Sequence, residues 1–279
     1  MEGEISALLD RCRDGEGRFV PCRFGSYRGF VRKDADPGML IDACYASGAR
    51  QIKRRPKTRI FANRGMFFKF NLHPTLWRIF RQGFRMPRPY RSLAAALRLE
   101  ELGVPTPEVL MAVRKRRFLN FPVCDLLITR ELPADRIFLD TLFSDRTTGK
   151  EVSELVKKLV PFLKTLHEGG FEHGDLNLRN IYCLLGASGE LLHFGLIDLD
   201  GSCLYPEPLP ESRRRREGAR VVSSLMKSLR LKAPECRVRT ADVIREFCVY
   251  YQEQTGFDLS GEEMNERVTY LLRRKRKDR

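Results

Sequence analysis

His173-Gly174-Asp175-Leu176-Asn177-Leu178-Arg179-Asn180 and, after it, Leu196-Ile197-Asp198-Leu199-Asp200-Gly201 are the two stretches on which the reading of this chain turns. Upstream, Glu151 to His167 carries Val152, Leu155, Val156, Leu159, Val160, Leu163 and Leu166 at a helical period. Gly169-Gly170 stops that helix, and Pro161 inside it removes a hydrogen bond and predicts a kink. Downstream, Ile181 to Leu185 and Leu191 to Ile197 read as two strands around the turn Gly186-Ala187-Ser188-Gly189. Asn180 then stands at the entrance of one strand and Asp198 at the exit of the next. A hairpin would bring both to one end of a sheet, facing Asp175.

Those residue types suit phosphoryl transfer, which needs an aligned nucleophile and neutralised charge rather than covalent chemistry from the protein. Asp175 can accept the hydrogen bond of an acceptor hydroxyl and take its proton late. Asn180 offers a neutral amide oxygen to a magnesium ion, and Asp198 a carboxylate. Magnesium takes hard oxygen ligands and fills its shell with water and phosphate oxygens, so two such side chains suffice beside ATP. An isolated His-x-Asp would be an ordinary loop. The joint pattern of helix, Gly-Gly, HGD, Asn at the fifth place, strand, turn, strand and Asp is more demanding and reads as a kinase-type catalytic loop.

Composition sets the bounds. The 279 residues are 42% hydrophobic and 31% charged, enough for one large domain or two lobes with a real core. No apolar run approaches the roughly 20 residues that span a bilayer, and the acidic start Met1-Glu2-Gly3-Glu4 is unlike a secretory signal. Eight cysteines form no CxxC pair, which argues against a zinc ribbon or redox motif and for a reducing, cytoplasmic setting. The net charge of +15 implies an anionic partner. Its clusters are Lys53-Arg54-Arg55, Lys57 to Arg59, Arg78 to Arg91, Arg114 to Arg117, Arg213 to Arg216 and Arg273 to Lys277.

In the first half, Lys69 lies in the aromatic strand Gly65-Met66-Phe67-Phe68-Lys69-Phe70, after the strand Thr58 to Phe61 and the turn Ala62-Asn63-Arg64-Gly65. A lysine there is costly to bury unless an anion meets it, which makes it the candidate for the ATP phosphates. No GxGxxG precedes it; the basic segment Gln51 to Arg59 holds that place. Ser92 to Leu102 reads as a helix ended by Gly103-Val104-Pro105-Thr106-Pro107. Its middle is Ala94-Ala95-Ala96, and acid appears only at Glu100 and Glu101, so either one of these reaches Lys69 or the lysine–glutamate pairing of protein kinases is absent. Cys124 to Leu132 reads as a strand entering a linker, where backbone groups near Glu131 and Leu132 would meet adenine. Phe19 to Phe24 and Tyr27 to Val31 read as an added N-terminal hairpin.

Taken together, these residues resemble the lipopolysaccharide core kinases of Gram-negative bacteria, the Kdo and heptose kinases with their InaA-like relatives. The resemblance covers roughly residues 59–227 and rests on Phe68-Lys69, Arg91-Ser92, Gly103 to Pro107, Leu127 to Leu132, Leu166-His167, His173 to Asp175, Asn180, Ile197 to Asp200 and a basic helix near Arg213 to Ser228. It implies an α+β, two-lobed protein-kinase-like fold, with a β-rich N-terminal lobe over 1–131 and a mainly helical C-terminal lobe over 132–279. It implies an ATP- and magnesium-dependent kinase acting on a sugar hydroxyl of an anionic glycolipid, cytoplasmic and peripheral to the inner membrane, with nucleic acid an unlikely partner. Lys69 would bind phosphates, Asp175 would be catalytic, Asn180 and Asp198 would hold the metal, and His173 would brace the loop. Asn177 stands where the family carries a lysine-like residue, which leaves Arg179 as the candidate for the γ-phosphate. The basic tail from Val268 to Lys277 would dock on an anionic surface. Two other readings share the motifs: a bacterial Ser/Thr protein kinase of the RIO-like kind, and a non-catalytic basic module on a kinase-like scaffold.

Overall fold

A computed structural model describes residues 2–73, 75–117, 121–186 and 191–274 of the chain. The turn residues Ala187 to Gly189 and the tail residues Lys275 to Lys277 lie outside the described residues. The chain forms two compact units. One is Met1–Glu101 with Thr106–Pro133 and Asp198–Ser202; the other is Leu102–Pro105 with Ala134–Ile197 and Cys203–Arg279.

The first unit contains α1 (Glu2–Arg13), β1 (Phe19–Phe24), β2 (Tyr27–Arg32), α2 (Pro37–Tyr45), β3 (Arg50–Arg55), β4 (Thr58–Asn63), β5 (Met66–Leu72), α3 (Leu76–Gly83), α4 (Arg88–Glu101), β6 (Val109–Arg117) and β7 (Phe121–Arg130). Its seven strands form one antiparallel sheet in the order β1-β2-β6-β7-β5-β4-β3. The expected N-terminal hairpin is β1–β2, joined to the sheet through β6. The hairpin leading to Lys69 turns at Arg64-Gly65, both at positive φ (49° and 71°), the geometry that matches a two-residue connection to strand twist.

Alternation along β5 separates two roles. Phe68 is fully buried and packs with Met111, Leu126, Ile128 and the α2 residues Leu40, Ile41, Ala43 and Cys44. Lys69, one residue on, points to the opposite face. There α4 buries Leu93, Ala94, Ala95 and Leu99 and lies against β6 and β7. The helix expected over Ser92 to Leu102 begins earlier, at Arg88, and ends at Glu101. Pro89 falls in its first turn, where no intrahelical N–H is lost.

The second unit contains β8 (Arg136–Phe138), α5 (Gly149–Glu168), β9 (Phe171–Glu172), β10 (Ile181–Leu185), β11 (Leu191–Leu196), β12 (Cys203–Leu204), α6 (Glu211–Lys232), α7 (Thr240–Thr255) and α8 (Gly261–Arg274). Thr148 and Glu151 close a capping box at the start of α5. The helix is continuous through Pro161 and buries the full apolar set expected for it. Past its end, Gly170 has φ 66°, and a Cβ there would collide with the Tyr205 carbonyl, so glycine is required on both counts. β10 pairs with β11 and β8, with Ile181 opposite Leu196. All eight cysteines are free thiols.

Candidate active site

The first unit carries a four-member charge cluster. The Lys69 ammonium meets the carboxylates of both Asp198 and Asp200, the latter at 3.1 Å. Asp200 also receives Arg88, the first residue of α4, at 3.5 Å. Burial pulls the Lys69 pKa down, but the charges and hydrogen bonds of Asp200 and Asp198 outweigh it, so the pKa stands above the ordinary lysine value. Asp198 is in the left-handed region (φ 62°, ψ 53°), which Asp tolerates better than most residues, and it opens a 3₁₀ turn over Leu199–Gly201 that lies against α4.

This arrangement resolves the question of the lysine's partner. Glu100 pairs with Arg18, and Glu101 with Arg11 and Arg98, so neither reaches Lys69. The helix contributes a cation, Arg88, which meets the same Asp200 Oδ2 as Lys69 does. The adenine candidates stand at the end of β7. The Glu131 N–H donates to the Gly65 carbonyl at 2.8 Å, and its carboxylate pairs with Arg50. The basic segment in place of a glycine-rich loop is the β3–β4 hairpin, with β3 exposed along its whole length.

The second unit carries the loop from His173 to Asn180, held by a buried carboxylate. Glu217, on α6 and fully buried, accepts the backbone N–H of His173 at 3.1 Å and of Gly174 at 2.8 Å. His167 stands 3.7 Å from the same carboxylate and bonds Tyr251 through its other ring nitrogen. Desolvation raises the Glu217 pKa, but His167, His173 and the Gly174 N–H outweigh it and hold the group below the usual carboxylate range. Beside it, Arg220 donates to the Gly174 carbonyl, and Glu172 receives Arg216 and Arg213.

Within this frame both backbone groups of Asp175 are fixed. Its N–H donates to His173 Nδ1, and its carbonyl accepts the side-chain amides of Asn177 and Asn180, each at 2.9 Å. The Asp175 residue is exposed. His173 is buried and donates through Nε2 to the Ile197 carbonyl at 2.8 Å. With the Asn180 nitrogen committed, its Oδ1 is the atom with metal-ligand character. Asn177 Oδ1 accepts the Arg179 N–H, so this side chain serves the loop's own geometry. Arg179, with its side chain 71% exposed, stands 3.4 Å from Asp140.

Several cations of two basic clusters prove to be committed to internal partners, while Arg117 is exposed. Arg114 is buried in a pair with Asp125. Arg213 to Arg216 bond Glu172, the Leu209 and Leu259 carbonyls, Glu211 and Glu263. Arg114 and Arg213 to Arg216 are thus already partnered within the chain. Sequence reasoning also passed over Asp200, Arg88, Glu172, Glu217 and Arg220. Asp200 had a visible signal, its place two residues after Asp198. Glu217 had only a faint one, as an acid directly after four arginines.

The family model described as Lipopolysaccharide kinase (Kdo/WaaP) family matches residues 65–233. No curated protein sequence matches the chain. A solved structure described as WaaP in complex with acyl carrier protein aligns with TM-score 0.56 and 17% identity, covering 86% of this chain and 94% of that one. At that identity the likeness concerns the fold, which is shared with WaaP and is α+β.

Proposed function

The chain belongs to the Kdo/WaaP family of lipopolysaccharide kinases, which makes it a phosphotransferase, and on that basis we propose that it transfers the γ-phosphoryl group of ATP, with magnesium, to a Kdo or heptose hydroxyl of the lipopolysaccharide core at the cytoplasmic membrane face. The observation that carries the assignment of roles is the joint hold of Asp198 and Asp200 on the Lys69 ammonium. Two carboxylates converging on one cation form a hard-oxygen donor set that suits a divalent ion. Among the described residues no group of three or more His, Cys, Asp or Glu forms a metal site by itself. Asp198 and Asp200 would hold the ion together with nucleotide oxygens, and the Asn180 amide oxygen is a ligand proposed from the family pattern alone. When bound, the ion would neutralise charge on the phosphates.

In this reading Lys69 exchanges its carboxylate partners for ATP phosphate oxygens, and Arg88 keeps Asp200 oriented while it does so. Asp175, with its backbone pinned from three sides, orients the acceptor hydroxyl and takes its proton. His173 and Glu217 hold that loop in place. Arg179, an exposed cation of that loop, would leave Asp140 to meet a phosphate. Glu131 and Leu132 supply backbone groups for adenine, with the Glu131 N–H already committed to Gly65. The test is incubation with γ-labelled ATP, magnesium and lipopolysaccharide core acceptors, with mass spectrometry of the product. Label on a core sugar, lost in Asp175→Asn, is the expected result. Label on protein Ser or Thr alone, or on no core acceptor, would overturn the reading.

A further inference from the structure

In α3, Trp77 is 69% exposed and Phe80 51%, and Phe84, one residue past its end, is 80% exposed. They follow one another at helical spacing, so they share one side. Their rings touch in sequence: Trp77 and Phe80 are stacked with centroids 6.3 Å apart, and Phe80 meets Phe84 edge-on at 5.1 Å. Single exposed apolar residues are ordinary, but three large aromatics in one contiguous row are not.

The row is held outward by an anchor on the other side of the helix. Gln82 is buried. The carbonyls of Gln82 and Arg85 accept the buried Arg114 guanidinium at 2.9 and 3.4 Å, and Arg114 is locked in turn to Asp125, which also faces His73. A buried cation thus meets the carbonyls at the helix end, that of Gln82 also accepting the Arg85 N–H at 3.3 Å. Rolling the aromatic side inward would break these bonds.

Charge names the partner. From Ala43 to Leu99 the chain has fourteen Lys and Arg and not one Asp or Glu. The segment 76–91 alone carries five arginines. Arg50, Lys69, Arg88 and Arg98 pair with acids from other segments. The other cations of this acid-free stretch, beside the aromatic row in sequence, match the interface of an anionic bilayer, where rings sit at headgroup depth and cations meet lipid phosphates. No helix of the described residues is long and apolar enough to cross a membrane.

We propose that the α3 face of Trp77, Phe80 and Phe84 inserts into the headgroup layer of an anionic membrane and is the element that docks the enzyme there. The proposal rests on the glycolipid-kinase reading for its purpose. Its test needs neither ATP nor acceptor, so the two can fail separately.

Trp77 is the chain's single tryptophan, so it reports on the site directly. Full-length protein is mixed with vesicles of phosphatidylcholine containing phosphatidylglycerol, with vesicles of phosphatidylcholine alone, and with poly-glutamate as an anionic polymer without lipid. The expected result is a blue shift of Trp77 emission and quenching by brominated lipid with the anionic vesicles only. The double variant Phe80→Ser/Phe84→Ser, which keeps the reporter, should lower vesicle partitioning by on the order of tenfold or more. Its unfolding midpoint should be unchanged, since both residues are exposed. An unmoved Trp77 on vesicle-bound protein, or equal binding by the double variant, would overturn the proposal. So would a shift of Trp77 with poly-glutamate alone, which would give the face to an acidic polypeptide.

Discussion

The candidate residues of the two units are held by different physics. In the first unit Lys69, Asp198, Asp200 and Arg88 are joined by charge, and their side chains are 18–44% exposed. In the second, Glu217 holds the backbone of His173 and Gly174 in full burial. Partly solvated ion pairs are individually weak and exchangeable. A buried carboxylate bonded to backbone N–H groups cannot leave without stranding them. The contrast teaches a division of labour: the half that would meet nucleotide and metal keeps partners that ligands can replace, and the half that would orient the acceptor keeps its geometry without them.

Five measurements would break or sharpen that comparison. The largest effect is expected of Asp175→Asn, which keeps the loop's backbone bonds and should cost about 10²–10⁴-fold in turnover with no change in unfolding midpoint. A loss of stability would show that the carboxylate is part of the scaffold instead. Next, Glu217→Ala strands the buried His173 N–H and the half-buried Gly174 N–H and should cost about 2–5 kcal/mol in denaturant unfolding. An unchanged midpoint there would remove the buried clamp from the account. Lys69→Met should lower kcat/KM for ATP about 10²–10³-fold while changing stability little.

Acid titration separates the two halves further. The Glu217 pKa is depressed in the folded chain. Its contribution is therefore complete above the ordinary value of 4.5 and is lost as pH falls through the lower folded value. The stability gap between wild type and Glu217→Ala should hold steady near neutral pH and narrow only in acid. A gap that narrowed near neutral pH would remove the depressed Glu217 carboxyl as its cause. The smallest effect is expected of Arg88→Ala. Its side chain is 43% exposed, so solvent screening keeps the cost under about 1 kcal/mol, read as a modest rise in KM for ATP.

The legible parts of the fold were those with strong local periodicity. α5 announced itself by seven apolar positions and a Gly-Gly stop, and its neighbouring strands by unbroken apolar runs. β4 and β5 were marked by a turn ending in Gly65, which accepts positive φ. The short helices were not legible: α2 starts at Pro37-Gly38, and α3 reads as aromatic and basic at once. Their state is set by what they pack against, α2 on the sheet face around Phe68 and α3 on the anchor at Arg114. Charge was the most misleading signal. Composition records that Arg114 and Arg213 to Arg216 are cationic, but only folding decides that they are spent on Asp125, Glu172 and backbone carbonyls.

The sequence by itself pointed to phosphoryl transfer, because that chemistry demands particular side chains at short spacings, and it offered Asp175, Asn180 and Asp198 on two neighbouring segments, with a lysine in an apolar strand, as the candidates. Tertiary structure alone decided who supports them. Lys69 meets Asp198 and Asp200 from 129 and 131 positions away, and Glu217 reaches His173 across 44. Such pairings depend on which elements the core brings together, and neither spacing nor composition encodes that locally.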